Sequence, residues 1–214
     1  MQDLGTRTRE NGRSGDLKIV TQPRTIAESM TLLRFAALGV VKFAAGAITP
    51  NVGNTGDGVM SAFALAAGGP PKIGDYSAVC VAAAANAGTF NVFDPDGVLI
   101  GVATVAVTFA GGGVTFLIGD GAADFIVGDS FLMAMGAGSG QAKLLDNTAT
   151  DGTQLLDSIL SEDVTTGVGV TQVTTVYETG EFNEGEITFE NGTVAEYKAA
   201  ARDLGIFFKA AVPQ

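Results

Sequence analysis

The chain has 214 residues and a net charge of −11, with only 16% charged residues, 30 glycines, a single cysteine and no histidine or tryptophan. The missing histidine removes the commonest general base and zinc ligand and every Ser-His-Asp or Cys-His triad; one cysteine makes neither an internal disulfide nor a zinc site alone. A compact chain of this length buries roughly 70% of its unfolded surface, so its core needs no metal or cross-link, and the small, β-branched, glycine-rich composition points to a mainly β fold with many turns.

Charge is unevenly placed. Residues 1–42 carry seven Lys/Arg against four acids, a net +3 that leaves −14 for the rest. An acidic body argues against direct contact with nucleic acid. Residues 1–16 are polar and punctuated by glycine, and read as a flexible docking arm. The first residues are polar and no apolar run follows a basic start, so no signal peptide is expected. The charge-free stretch between Asp96 and Asp120 is long enough to span a bilayer. Gly101 and the Gly111-Gly112-Gly113 run interrupt it, and Val102 to Phe109 alternates with period 2, so strands and a turn are expected and no membrane contact.

Leu17-Lys18-Ile19-Val20-Thr21 reads as a strand that Pro23 ends or edges. Over residues 25–41 helical spacing (Ile26, Met30, Leu33, Ala37) competes with a strand start, predicting a loop or short helix and then a strand over 38–43. Residues 51–58, Asn-Val-Gly-Asn-Thr-Gly-Asp-Gly, form a linker by composition. Their glycine spacing lacks the Lys-Ser/Thr and the helix of a phosphate-cradling loop.

From residue 59 to 143 charge nearly vanishes. Strands are predicted over 61–66, 76–82, 89–93, 98–107, 114–118 and 130–135, with Asp94-Pro95-Asp96-Gly97 as a turn. Regular short strands of this kind predict a β-sandwich, immunoglobulin-like in texture. Cys80 lies in an apolar run and reads as a buried small hydrophobe. Gly136 to Gly140 is a second linker. The two linkers bracket an inserted domain, 53–142, within a core made of 17–52 and 143–214.

Strands are expected again over 157–164 and 170–179. A turn over 180–185 then sends 186–189 back, making a hairpin of Tyr177 to Phe189. Thr193-Val194-Ala195-Glu196 is a capping box, Val194, Tyr197, Ala201 and Leu204 form one apolar stripe, and Gly205 supplies a left-handed C-cap. Ile206-Phe207-Phe208 is the last strand. The fold class is therefore mainly β with one short α-helix near the C-terminus.

Several of these segments form an ordered series: Thr150-Asp151-Gly152-Thr153, Ile159-Leu160-Ser161-Glu162-Asp163-Val164, Tyr177-Glu178-Thr179-Gly180-Glu181-Phe182, the capped helix, and Gly205-Ile206-Phe207. The series resembles the lambda-type phage head decoration protein family, and residues 16–50 are loosely similar to the family's amino-terminal half. Residues 51–144 lie outside the family pattern. The resemblance implies a small β-rich core carrying an insert. It further implies a homotrimer on the outside of the expanded phage head, at three-fold and quasi-three-fold sites, clamping the major capsid protein against DNA pressure. It implies a virion location after synthesis in the host cytoplasm. It also implies an amino-terminal arm that orders on the capsid, here Arg7, Arg9, Arg13, Leu17, Lys18, Ile19 and Val20.

Other readings rest on less. The pairs Asp94/Asp96 and Glu184/Glu186 have the residue types of a glycosidase, but both sit in turn-like, glycine-flanked sequence without aromatic walls, so no enzyme and no catalytic residue is expected. Asp94, Asp96, Asp120, Asp124 and Asp129 offer oxygen ligands for calcium without EF-hand spacing, so no metal and no cofactor is expected. The alternative function is a virion or cell-surface β-sandwich that binds glycan or host surface through the insert.

Overall fold

The computed structural model describes residues 18–66 and 69–210. The chain is mainly β, with one helix near its C-terminus. It divides into two compact units. The first holds the described residues up to Val40, then Gln141–Ala149 and the described residues from Thr153 onward; the second holds Val41–Gly140 and Thr150–Gly152.

The first unit is built on β1 (Val20–Ile26), β3 (Ala37–Val40), β12 (Ala142–Leu144), β13 (Leu156–Leu160) and β15 (Gln172–Asn183). Neighbours pair in the order β1-β12-β3-β13-β15, and β15 pairs back with β1, so the five strands close on themselves. The ring closes through the β1–β15 ladder and, at its thinnest, through the single pair of Ile26 with Ala142 between β1 and β12; a small barrel fills its interior with side chains. Each strand contributes one residue to a single buried cluster: Ile26, Ala142, Leu38, Leu160 and Val176. Fully burying aliphatic side chains of this kind stabilises by roughly 1.5–3 kcal/mol apiece. Leu32 and Val164 join the same cluster. They come from a two-stranded ribbon of β2 (Thr31–Leu32) and β14 (Val164–Thr165).

The opposite face of the barrel wall is covered by the helix α1 (Val194–Asp203). Ala37, Ile159 and Tyr177 of the wall share a cluster with Tyr197 and Ala201 of the helix and with Phe182. The helix starts as its sequence dictates. The Thr193 hydroxyl accepts the Glu196 N–H and the Glu196 carboxylate accepts the Thr193 N–H at 2.6 Å. Gly205 ends it with φ +78°. The chain then forms β16 (Ile206–Lys209), parallel to β15.

Two expectations are corrected here. Of the loop or short helix expected before a strand over 38–43, the helix is absent: turns with Ser29 and Phe35 at positive φ flank the short β2, and the strand that follows is β3, Ala37–Val40. The hairpin at Gly180 does not exist either. Gly180 has φ +152°, which keeps β15 extended straight through it. A Cβ at Gly180 would lie 3.0 Å from the Phe182 ring. Glycine therefore serves ring packing there and makes no turn. Residues 186–189 do not pair back along β15; Thr188 bridges Ala36 instead.

The second unit packs two sheets on one core. The larger is β4 (Phe43–Pro50), β11 (Ser130–Ala137), β6 (Gly74–Ala84), β7 (Ala87–Phe93) and β8 (Leu99–Thr104), in that spatial order; the smaller is β5 (Met60–Leu65), β10 (Val114–Ile118) and β9 (Thr108–Gly111). Tyr76, Phe90 and Met133 from the first and Met60, Phe109 and Phe116 from the second belong to the same buried cluster. The alternating texture that predicted strands thus reflects one face turned to the core. The expected strand over 98–107 ends at Thr104, because Val107 N–H turns back to Thr104 O and Ala106 takes φ +63°; β9 begins only at Thr108. The triple glycine is the β9–β10 turn, with Gly112 and Gly113 at positive φ.

The unit borders lie at 40/41 and 140/141. Residues 41–52, assigned to the core from sequence, fall in the second unit because β4 pairs with β11 there. Among the described residues no helix is long and apolar enough to cross a membrane.

Candidate functional site

Arg7, Arg9, Arg13 and Leu17 of the expected arm lie outside the described residues. The other three are placed. Val20 opens β1 and donates its N–H to the Thr179 hydroxyl at 3.1 Å. That hydroxyl donates in turn to Lys18 O at 3.0 Å. Ile19 packs against the cluster under the helix. Lys18, Ile19 and Val20 are therefore fastened to β15 of the barrel, where sequence alone assigned them to the arm.

One member of each carboxylate pair, Asp94 and Glu184, is committed to a lysine. Asp94 is 7% exposed; its Oδ1 accepts the N–H groups of Asp96 and Val98, at 3.0 and 2.9 Å, and its Oδ2 faces Lys72 Nζ at 2.5 Å. Lys72 also reaches Asp96 at 2.6 Å. The Lys72 ammonium holds the Asp94 carboxyl below the usual range, with the Val98 N–H adding to it, and the two carboxylates push Lys72 upward. A locked, ionised turn acid of this kind has neither the raised pKa of a general acid nor an open face for a substrate. Glu184 pairs with Lys198 at 2.9 Å, and the segment carrying Glu186 folds as a turn closed by Glu186 N–H to Asn183 O at 3.0 Å.

Of the acids weighed above as calcium ligands, Asp94, Asp124 and Asp129 are engaged separately, and among the described residues no three His, Cys, Asp or Glu are placed to hold a metal ion. Asp124 accepts Asn86 N–H at 2.8 Å. Asp129 is 3% exposed and accepts three backbone N–H groups, from Thr55 and Gly56 at 2.9 Å each and from Ile126 at 3.0 Å. Burial pushes its carboxyl up, but the amides of Thr55, Gly56 and Ile126 outweigh that and hold it low. Cys80 is buried, which raises its thiol pKa and keeps it unreactive.

Asp129 corrects the reading of residues 51–58. They are a built loop of the second unit rather than a linker. Asn54 exchanges two hydrogen bonds with the Ser130 backbone, at 2.9 and 2.8 Å. The glycine spacing has a packing cause: a Cβ at Gly56 or Gly58 would lie 2.4 or 2.5 Å from the Phe125 ring. The aromatic ring lies directly on both backbones, which only glycine permits. The signal that could have found this was Phe125 itself, the one aromatic in a run of small residues from 119 to 129. A cavity of about 340 Å³ opens beside the loop, lined by Ile48, Pro50, Asn51, Val59 and Phe131 among others. The amide oxygen of Asn51 already accepts Gly53 N–H, at 2.9 Å.

No family model matches the chain, and no curated protein matches it. Solved structures do, among them crystal structures of Xanthomonas campestris FlgL in space groups H3 and C2. Each is 26% identical over 52% of this chain, with TM-scores of 0.34 and 0.35; the match spans 34% and 33% of those chains, about a third of their length. At such TM-scores the likeness carries no argument about fold or function.

Proposed function

We propose that this chain is a phage head decoration protein: a homotrimer on the outside of the expanded head that clamps neighbouring major capsid subunits against the pressure of packaged DNA. One observation carries the reading. The segments that resemble the family lie on either side of a foreign stretch about a hundred residues long, yet those up to Val40 and those from Thr153 onward belong to a single compact unit, while Thr150–Gly152 falls in the other. A closed barrel with one capped helix accommodates the ordered series, from Ile159 through Tyr177 and Phe182 to Ile206, in one cluster. The stretch that the family pattern lacks is a unit with its own core.

The physics of such a role is simple. A polar leader adds a strand to an exposed sheet edge of the capsid, gaining main-chain hydrogen bonds at the cost of chain entropy. Three such arms on one trimer act together, raising avidity about 10²–10⁴-fold over a single arm. Lys18 to Val20, which follow that leader in sequence, are fixed on β15. The test uses purified expanded and unexpanded heads. The full chain is expected to elute as a trimer and to co-sediment with expanded heads only, and a variant lacking residues 1–16 to remain a trimer that no longer binds. A monomeric chain that ignores both kinds of head, or an arm-less variant that still saturates expanded heads, sinks the reading.

A further inference from the structure

Asn191 is the one asparagine among the described residues that a glycine follows. Such a pair has a chemistry of its own. The backbone nitrogen of the glycine lies within reach of the asparagine side-chain carbonyl carbon, and no Cβ on the glycine hinders their approach. Here the glycine is required by the fold. Gly192 holds φ +110°, and a Cβ on it would lie 2.9 Å from the Tyr197 ring.

The structure leaves the pair open to reaction. Asn191 is exposed. Its parallel bridge with Asp146 uses the Asn191 carbonyl, which accepts Asn147 N–H at 3.3 Å. That bridge passes Gly192 by, and among the described residues the Gly192 N–H has no hydrogen-bond partner. One contact restrains the side chain: Asn191 Nδ2 donates to Asp146 Oδ1 at 3.1 Å. The bond is exposed, so water competes for both of its partners.

We propose that Asn191 is a site of spontaneous deamidation, whose aspartate and isoaspartate products loosen the N-terminal cap of α1. The Gly192 nitrogen gives up its proton to solvent and bonds to Asn191 Cγ. The Cγ–Nδ2 bond breaks, Nδ2 leaves as ammonia, and a succinimide ring closes. Water then adds to one ring carbonyl carbon and breaks that carbon's bond to the ring nitrogen, which takes back a proton. Opening at Cγ gives aspartate. Opening at the backbone carbonyl carbon gives isoaspartate, with the main chain running through the former side chain. The net reaction consumes one water and releases one ammonia; nothing is oxidised or reduced.

The products fall where the surroundings oppose them. Asp146 Oδ1 also accepts the Thr148 hydroxyl at 2.6 Å and the Thr148 N–H at 2.8 Å. The Thr148 hydroxyl, with that N–H and the Asn191 amide, holds the Asp146 carboxyl below its usual range against the effect of burial. A carboxylate at position 191 therefore replaces a donor to Asp146 with a like charge. The same patch carries the helix cap. Asn147 Nδ2 donates to the Glu196 carboxylate at 3.4 Å, and Glu196 is the partner of Thr193 in the capping box. Isoaspartate also lengthens the main chain just before Thr193, shifting the cap against Asn147.

The test ages the full chain in mildly alkaline buffer until the same chain unfolded in urea has converted. A protease that cuts after glutamate then releases the peptide from Asn191 to Glu196, since Glu190 and Glu196 flank the site. In the folded sample this peptide is expected to gain the mass difference between a hydroxyl and an amino group and to split into two chromatographic species, faster at higher pH. Asn191→Gln, whose longer side chain closes a ring far more slowly, should stay unmodified. In the aged protein, amide exchange at Asn147 and in the first turn of α1 should accelerate about tenfold, the factor for one lost hydrogen bond. Asn191→Asp should show the same acceleration without ageing. A folded chain that keeps Asn191 intact while the unfolded chain converts would overturn the site. Conversion with unchanged exchange, in the aged protein and in Asn191→Asp alike, would overturn its effect on the cap.

Discussion

Asp129→Ala tests how the second unit holds the 51–58 loop. The carboxylate accepts three backbone N–H groups from two separate segments, and Gly56 N–H is buried against it at 2.9 Å. Removing the acceptor leaves that donor unsatisfied, at a cost of roughly 1–3 kcal/mol. The Thr55 and Ile126 donors are partly buried. Water recovers part of their loss, so each adds roughly 0.5–1 kcal/mol. The expected total is about 3 kcal/mol. Urea unfolding followed by far-UV circular dichroism should show a lower midpoint with an unchanged slope. Amide exchange over residues 52–58 should accelerate about a hundredfold, the factor equivalent to that free energy. Asp120→Ala, at an exposed acid of the same connection, should stay within about 0.5 kcal/mol of the parent. The sign with pH follows from the lowered carboxyl. Its stabilisation is present above the unfolded carboxylate value near 3.9 and is lost as pH falls through the lower folded value. An Asp129→Ala protein with the parent midpoint and unchanged exchange over 52–58 would refute the clamp.

Thr193→Ala removes the helix cap and should cost about 1 kcal/mol, read as a lower unfolding midpoint of the first unit; Thr193→Ser should restore it. Gly39→Ala places a Cβ 2.3 Å from the Thr153 carbonyl oxygen. It should destabilise by about 1–3 kcal/mol, and a neutral result would mean that the 153 segment moves freely. Ser158 is fully buried, and among the described residues its hydroxyl has no partner. Ser158→Ala should be neutral or stabilising by up to about 1 kcal/mol, and a clear loss by thermal unfolding would reveal a hidden partner. Asp94→Ala should lower the melting temperature more than Asp94→Asn, because asparagine keeps the oxygen that accepts Asp96 and Val98 N–H; equal effects would assign the whole contribution to Lys72.

The helix was legible because its signals are local: a capping box, one stripe and a terminal glycine within thirteen residues, 193–205. The strands between 59 and 137 were legible for a related reason, since each alternates against one core. What the sequence hid depends on distant partners. Gly180 looks like a turn until Phe182 is seen packed over it. Residues 51–58 look like a linker until Asp129 and Phe125 arrive from more than sixty residues away. Ile26, Met30, Leu33 and Ala37 keep helical spacing by accident: Ile26 and Ala37 serve opposite faces of a barrel wall. Leu33 is exposed.

The closed ring of strands has a consequence for how the chain comes to be folded. β3 and β12 are neighbours in the ring, yet the whole of Val41–Gly140 is threaded between them. No ring can form until that stretch has been made, and the last pairing, β1 with β15, joins Val20 to Thr179. During synthesis the second unit is complete first. Once it has collapsed, the long connection shortens to the distance between its own two ends, which reduces the entropy of bringing β3 and β12 together. The insert then acts as a folded bracket that presents one half of the ring to the other. Destabilising it should slow barrel closure even where no barrel residue is altered.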